Sequence, residues 1–317
     1  MRRATVTALA ALAAAVSLAC LVGPGGHPVV MPDAAPSADQ MAELWVEPER
    51  ERDLYYGVGG PRLAPDPDLF YTVTEVKVGG FSEGYDVEGP DGRDWSAKFP
   101  PEAPTEVVAS RIHWGIGYHQ PPIYLLLRWQ AEGADRPNPQ LPARFREDEP
   151  DLHGLEDEGD WSFYENPFVG TRQLNALLAL QAMLGNSDLK ASNNTLFALD
   201  APFEGAARWY VVRDIGQAFG RSGTFDPPRG DIDVFERTGF IRSVSGDRVE
   251  LEYAGRHAAL FEHIRVDDVV WLCRQLDRLT DRQWSDAFRA GGYEPLVADR
   301  FIRRMKEKIA EGLAIAR

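Results

Sequence analysis

The stretch Asn186-Ser187-Asp188-Leu189-Lys190-Ala191-Ser192-Asn193-Asn194 decides how the chain is read. Polar residues this dense, set between an apolar helix and an apolar strand, are hard to account for by packing. On the N-terminal side Leu174, Leu177, Leu178, Leu180 and Leu184 recur at helical spacing, with Thr171 as cap and Gly185 as stop. On the C-terminal side Thr195-Leu196-Phe197-Ala198-Leu199 reads as a short strand. A second strand, Trp209-Tyr210-Val211-Val212, runs directly into Arg213-Asp214-Ile215-Gly216. The loop is therefore held at both ends and presents Asp188, Lys190 and Asn193, while another carboxylate, Asp214, stands at a strand end before a glycine. Asp, Asn and Ser also make caps and turns, so the first string alone reads as a solvated loop more often than as a site. The ordered appearance of Asp214-Ile215-Gly216 shifts that balance.

Asp188-Leu189-Lys190-Ala191-Ser192-Asn193 resembles the D-L-x-x-x-N part of the catalytic loop in the protein-kinase-like superfamily, and Asp214-Ile215-Gly216 resembles its D-F-G element. The resemblance implies an α+β, two-lobed kinase-like fold: a small antiparallel-sheet lobe followed by a mainly helical lobe. Phosphoryl transfer needs one carboxylate to orient the nucleophile, and an amide oxygen with a second carboxylate to hold magnesium against the phosphates. By resemblance Asp188 is the catalytic acid–base residue and Lys190 neutralises the transferring group. Asn193 and Asp214 would hold Mg2+, with ATP as donor. Asn186-Ser187 stand where ordinary protein kinases have His-Arg, and no A-P-E element follows Asp214. The resemblance is thus to atypical branches, HipA-like, phosphoinositide-kinase-like or secretory-pathway-kinase-like, and control by activation-loop phosphorylation is not expected.

Upstream, residues 70–78 read as a strand, residues 79–84 as a glycine-rich turn and residues 85–87 as a returning strand. Gly79, Gly80 and Gly84 suit a cover over nucleotide phosphates, because backbone amides approach phosphate only where side chains are absent. Gly80-Phe81-Ser82-Glu83-Gly84 also satisfies G-x-S-x-G, but that hydrolase elbow needs a helix after it, and a strand follows here. Lys98, in the strand Trp95-Ser96-Ala97-Lys98-Phe99, is either a solvent-facing strand residue or, by resemblance, the lysine that grips the phosphates. A helix over 105–114 would carry Glu106 as its ion-pair partner, with Glu102 as rival. Residues 123–129 and 161–164 read as further strands, with an adenine pocket near the junction with the Leu-rich helix. The kinase resemblance covers residues 70–220.

The chain has 317 residues, 44% of them hydrophobic, enough for a full core. Its formal net charge of -15 makes nucleic acid a poor partner, since a neutralising basic surface is missing. The acidic runs 147–149 and 156–158 read as solvated loop. Cys273 lies in an apolar helix and reads as core; with Cys20 as the only other cysteine there is no disulfide framework or zinc pattern. His113 and His119 read as structural. Asp231-Ile232-Asp233 reads as a surface turn, residues 240–253 as a hairpin, and residues 266–279, 280–290 and 295–313 as helices.

Arg2 and Arg3 followed by the alanine-rich run 4–19 read as an export segment, cleaved, retained as an anchor, or lipidated on Cys20. Each form places the folded part outside the cytoplasm. The organisation expected is a signal or anchor over 1–23, a Pro/Ala/Gly-rich tether over 24–42, a nucleotide-binding lobe over 43–168 and a catalytic helical lobe over 169–317. The function expected is an exported or envelope-anchored atypical kinase that takes nucleotide and an acceptor the sequence does not define. Two alternatives are a pseudokinase-like nucleotide- or ligand-binding module of the cell envelope and a serine hydrolase using Ser82.

Overall fold

The computed structural model describes residues 28–48, 52–78, 81–148 and 152–316. The export segment with Cys20, and Gly79 and Gly80, lie outside them. Among the described residues no helix is long and apolar enough to cross a membrane.

The first part of the chain builds a six-stranded sheet. Strands β1 (Phe70–Lys77), β2 (Gly84–Glu88), β3 (Asp94–Lys98), β4 (Ile123–Leu126), β5 (Gln130–Glu132) and β6 (Ala143–Glu147) lie in the order β4-β6-β3-β2-β1-β5. Only the β1–β5 pair is parallel. Strand side chains alternate between faces, and here the two faces differ sharply. Tyr85, Val87, Trp95, Ala97 and Phe145 point to one side and join Tyr71, Trp129 and Phe99 in an aromatic core. The opposite side carries Lys77, Asp86, Ser96, Lys98, Arg144 and Arg146, aligned by the β1–β2, β2–β3 and β3–β6 registers.

The rest of the chain is mainly helical. Helix α1 (Ala38–Ala42) precedes the sheet, α2 (Glu102–Gly115) follows β3, and α3 (Arg172–Leu184) is the Leu-rich helix. Thr171 caps α3 by accepting the Leu174 amide, and Gly185 closes it with φ of 79°. Strands β7 (Glu156–Asp160), β8 (Asn194–Phe203) and β9 (Ala206–Val212) form a second antiparallel sheet, and β10 (Ile241–Ser245) with β11 (Arg248–Leu251) the expected hairpin. Helices α4 (Ile232–Arg237), α5 (Val266–Asp277), α6 (Asp281–Ala290) and α7 (Pro295–Ala314) complete the lobe. A single large apolar core unites α3 with α5, α6 and α7 and includes buried Cys273. The result is the two-lobed α+β arrangement expected from the sequence.

Several expectations need correction. Helix α2 begins at Glu102, three residues before the expected start, because Pro104 falls in the first turn, where a missing N–H costs nothing. Trp161, Phe163 and Tyr164 form no strand; they are turns sunk into the large core, with Trp161 Nε1 donating to Val211 O. The strand lies just before them, in the acidic run read as loop: all five residues of β7 are exposed, so only backbone pairing defines it. Part of the stretch read as a tether is laid on the fold: Val30 N donates to Tyr164 O and Met41 packs against the large core. Asp231 accepts the Val234 amide as the cap of α4.

His113 and His119 are both buried and structural. Nδ1 of His113 donates to Ala109 O at 2.7 Å, so its Nε2 is the unprotonated acceptor for Gln181 Nε2–H, also at 2.7 Å. His119 stacks on Trp209 and contacts Ala42 O at 2.7 Å. Burial pushes both imidazoles down to about 4. Between the ordinary value of 6.5 and that value the unfolded chain takes up protons that the native state refuses, so stability falls as pH falls. Denaturant unfolding should show stability declining already from pH 6.5 to about 5.5, above the range where ordinary carboxylates titrate, with the loss approaching roughly 3 kcal/mol per imidazole in the limit of lower pH. A flat profile over that interval would contradict the burial of two neutral histidines.

Candidate active site

The charged face of the sheet meets α2 and the segment after β9. Register places Lys98 beside Gly84 on one flank and Arg144 on the other, and Ser96 between Asp86 and Arg146. Gly84 is required there: a Cβ would lie 2.2 Å from Ala97 O, so only glycine lets β2 approach β3 this closely. From α2 the Glu106 carboxylate, 2% exposed, enters between these cations. Its Oε2 lies 3.0 Å from Lys98 Nζ, and its Oε1 lies 3.1 Å from Arg144 Nε and 3.8 Å from Arg146 Nη1. Burial raises the Glu106 pKa, but Arg144, Lys98 and Arg146 outweigh it and hold the carboxyl down to about 2. For Lys98, burial and Arg144 oppose the charge; Glu106, Asp214 and Glu102 prevail, and its pKa is raised.

Lys98 also reaches out of its lobe. Nζ donates to Asp214 Oδ1 at 2.6 Å and lies 3.6 Å from Glu102 Oε2. Both glutamates weighed from the sequence are therefore partners, Glu106 the nearer and more deeply buried. Asp214 is steered by the turn on its C-terminal side. Thr105 Oγ1 donates to Gly216 O at 2.5 Å, and a Cβ on Gly216 would stand 2.6 Å from Glu102 Cβ. The turn thus packs directly on the start of α2.

The Asp188 loop adjoins this cluster through Asn193. Asn193 Nδ2 donates to Asp188 O at 2.8 Å, Asn193 O accepts the Arg213 amide at 2.9 Å, and Asp214 is the next residue. Lys190 Nζ sits 3.2 Å from Asp188 Oδ2 at the exposed rim. Asp188 is not in the wall of the cavity that contains Lys98 and Asp214; the loop reaches that wall with Ser192. Lys98, Glu106, Gly84 and Asp214 are hence in direct contact or register, while Asp188, Lys190 and Asn193 form the neighbouring rim.

The loop is set by a buried polar chain that starts on α2. Gln181 donates to His113, Asn186 Nδ2 donates to Gln181 Oε1 at 2.9 Å, and Asn186 Oδ1 accepts the Asp188 amide at 3.1 Å. Ser187 Oγ accepts from Gly223 N and Gln217 Nε2 and donates to Gly223 O. Asn186-Ser187 therefore ties the loop to α2 and to the segment beyond Asp214 without any charged group.

The cavity itself measures 260 Å³. Five cationic side chains, Lys77, Lys98, Arg144, Arg146 and Arg213, reach it against three carboxylates, Glu83, Glu102 and Asp214, so it is locally positive in a chain of net charge -15. Sequence reading found only Lys98 of the five. The signal it passed over was Ala143-Arg144-Phe145-Arg146-Glu147, in which two arginines alternate with a core aromatic. At the mouth Arg229 pairs with Glu102 and stacks 3.3 Å over the Phe81 ring, and Ser82 Oγ donates to Glu102 Oε2 at 3.3 Å. Ser82 lies on the turn between two antiparallel strands, and none of the residues lining its cavity is a histidine. Among the described residues no group of three or more His, Cys, Asp or Glu side chains is arranged to hold a metal unaided.

No family model matches the chain, and no curated protein matches it. Among solved structures the chain is similar to the crystal structure of a Helicobacter pylori proinflammatory kinase, CtkA, at 12% identity and a TM-score of 0.46, covering 78% of this chain and 98% of that one. A likeness at that level bears on neither the chemistry nor the residues of the cleft.

Removing Glu106 leaves Arg144, 1% exposed, and Lys98 without their counter-charge. Loss of one member of a buried ion cluster costs about 3–5 kcal/mol. Glu106→Ala should lower the unfolding free energy by that amount in urea titration, with Glu106→Gln intermediate. A loss below about 1 kcal/mol would mean that the carboxylate does not neutralise these cations.

Proposed function

We propose that the protein is a kinase-type phosphotransferase working in the cleft between the sheet lobe and the helical lobe. The observation that carries this reading is Lys98, held by buried Glu106 on one side and bonded to Asp214 on the other, at 3.0 and 2.6 Å. An ammonium fixed this way is a pre-oriented hydrogen-bond donor for phosphate oxygens. Phosphate oxygens entering the cavity take the place of the Asp214 carboxylate on Lys98, and Arg146 and Arg213 add charge from the walls.

Magnesium fits the residues present. Such ions are usually held by one or two carboxylates together with substrate phosphates, not by an all-protein cage. Asp214 would supply a carboxylate and Asn193 its amide oxygen, since the amide nitrogen is committed to Asp188 O. The ion would neutralise charge on the transferring phosphoryl group. Asp188, on the exposed rim, accepts the proton of an acceptor hydroxyl, whose oxygen bonds to the transferred phosphorus as the bond to the donor breaks; Lys190 balances the charge beside it. ATP, as donor, would present its phosphates to this cleft. Placement of the enzyme at the cell envelope, by export with cleavage, an anchor or a lipid on Cys20, belongs to the same proposal and is supported by the character of residues 1–23.

The two aspartates have separable tasks. Asp214→Asn should weaken magnesium-dependent anion binding in calorimetry and lower turnover with it. Asp188→Asn should leave that binding nearly intact and reduce turnover by about 10²–10⁴. Equal, metal-independent binding by wild type and Asp214→Asn would remove the magnesium role. Binding of the expected kind, with no transfer to any acceptor offered, would instead identify a ligand-binding module of pseudokinase type.

A further inference from the structure

The sheet wall of the cleft beside Lys98 is unsuited to a nucleobase. Adenine needs flat apolar surfaces above and below its ring. On the cleft-facing side of the sheet two neighbouring cross-strand rows, Lys77-Gly84-Lys98-Arg144 and Asp86-Ser96-Arg146, carry polar and charged side chains. Lys77 Nζ lies 2.5 Å from Asp86 Oδ1 and 3.5 Å from Ser96 Oγ, so the floor beside Lys98 is a charged, hydrogen-bonded surface. Among the described residues lining the cavity, Phe81 is the one large apolar side chain, since Ala97 turns its methyl into the aromatic core, and Phe81 is already stacked on Arg229. At 260 Å³ the space also falls below the roughly 300–1,000 Å³ of sites that enclose drug-sized ligands.

The cations not consumed by strong pairing line the same cavity, Arg146 from the sheet and Arg213 from the segment after β9. Arg146 stands 3.8 Å from Glu106 and Arg213 stands 3.7 Å from Asp157, the longest ion pairs around the cavity. Neither pair is at hydrogen-bond distance, so both planar guanidinium forks keep N–H donors for phosphate oxygens. Their charges extend the phosphate-binding surface of the cavity beyond Lys98.

We propose that the ligand of this cleft is a compact polyphosphate without a nucleobase, of the pyrophosphate or tripolyphosphate class, and that a purine contributes nothing to its binding. The proposal rests on the phosphate-binding reading of the same site given above and narrows its donor.

Calorimetry on the purified full-length chain with magnesium, using tripolyphosphate, pyrophosphate, ATP and adenosine as probes, separates the two readings. Tripolyphosphate should bind at least as tightly as ATP, and adenosine should give no heat. Arg146→Ala and Arg213→Ala should each weaken tripolyphosphate at least tenfold, with thermal melting confirming that each variant is folded. ATP binding ten times or more tightly than tripolyphosphate, or measurable adenosine binding, would overturn the base-free ligand while leaving the phosphotransferase reading standing. Absence of binding by every phosphate probe would overturn both. Tripolyphosphate affinity unchanged in both folded arginine variants would also overturn the inference, since the wall would then take no part in holding phosphate.

Discussion

A carboxylate buried to 2% exposure is the constraint on which this molecule is built. Glu106 carries its charge into the interior, where an unpaired ion would cost several kcal/mol, and three cations from two strands converge to neutralise it. That requirement fixes α2 against β3 and β6. It also fixes the direction of Lys98, whose ammonium then has reach left over for Asp214 across the cleft. A buried ion cluster is weak as a stabilising device, because well-packed apolar residues often do as well or better. Its presence is better explained by the group it positions than by the stability it confers.

The second support of the cleft is neutral. Gln181, His113 and Asn186 pass hydrogen bonds from α2 to the Asp188 amide, and Ser187 carries them on to Gly223. Both halves of the site are thus referred to one helix, by charge through Glu106 and by hydrogen bonds through His113. Glycines make the close approaches possible. Gly185, at φ of 79°, ends α3 against Gly220 O, and the Phe219 amide donates to Leu184 O at 2.7 Å, so the chain leaving Asp214 is stitched to the helix leading to Asp188.

Much of this is legible in the sequence. The Leu repeat between Thr171 and Gly185 and the apolar runs flanking the Asp188 loop are local patterns, and the helical lobe follows from them and from caps such as Thr280 with Gln283. Lys98 stood out as a lone charge in an apolar strand. The features that escaped reading depend on tertiary partners. Arg144 and Arg146 lie beyond a proline-rich stretch and gain meaning only from pairing with Lys98 and Ser96. Strand β7 has no apolar face to betray it, because it is an exposed edge paired only to β8. Trp161, Phe163 and Tyr164 carry strand-like side chains, yet burial in the large core from turns satisfies them equally well.

The most direct test of the central claim is a crystal of the protein grown with tripolyphosphate and manganese, with the metal located by its anomalous signal. The proposed arrangement puts the manganese between Asp214 and the Asn193 amide oxygen, with a phosphate oxygen within hydrogen-bond distance of Lys98 Nζ and the Lys98–Glu106 pair intact. Metal and anion located away from Lys98 and Asp214, with the 2.6 Å Lys98–Asp214 bond unbroken, would contradict it.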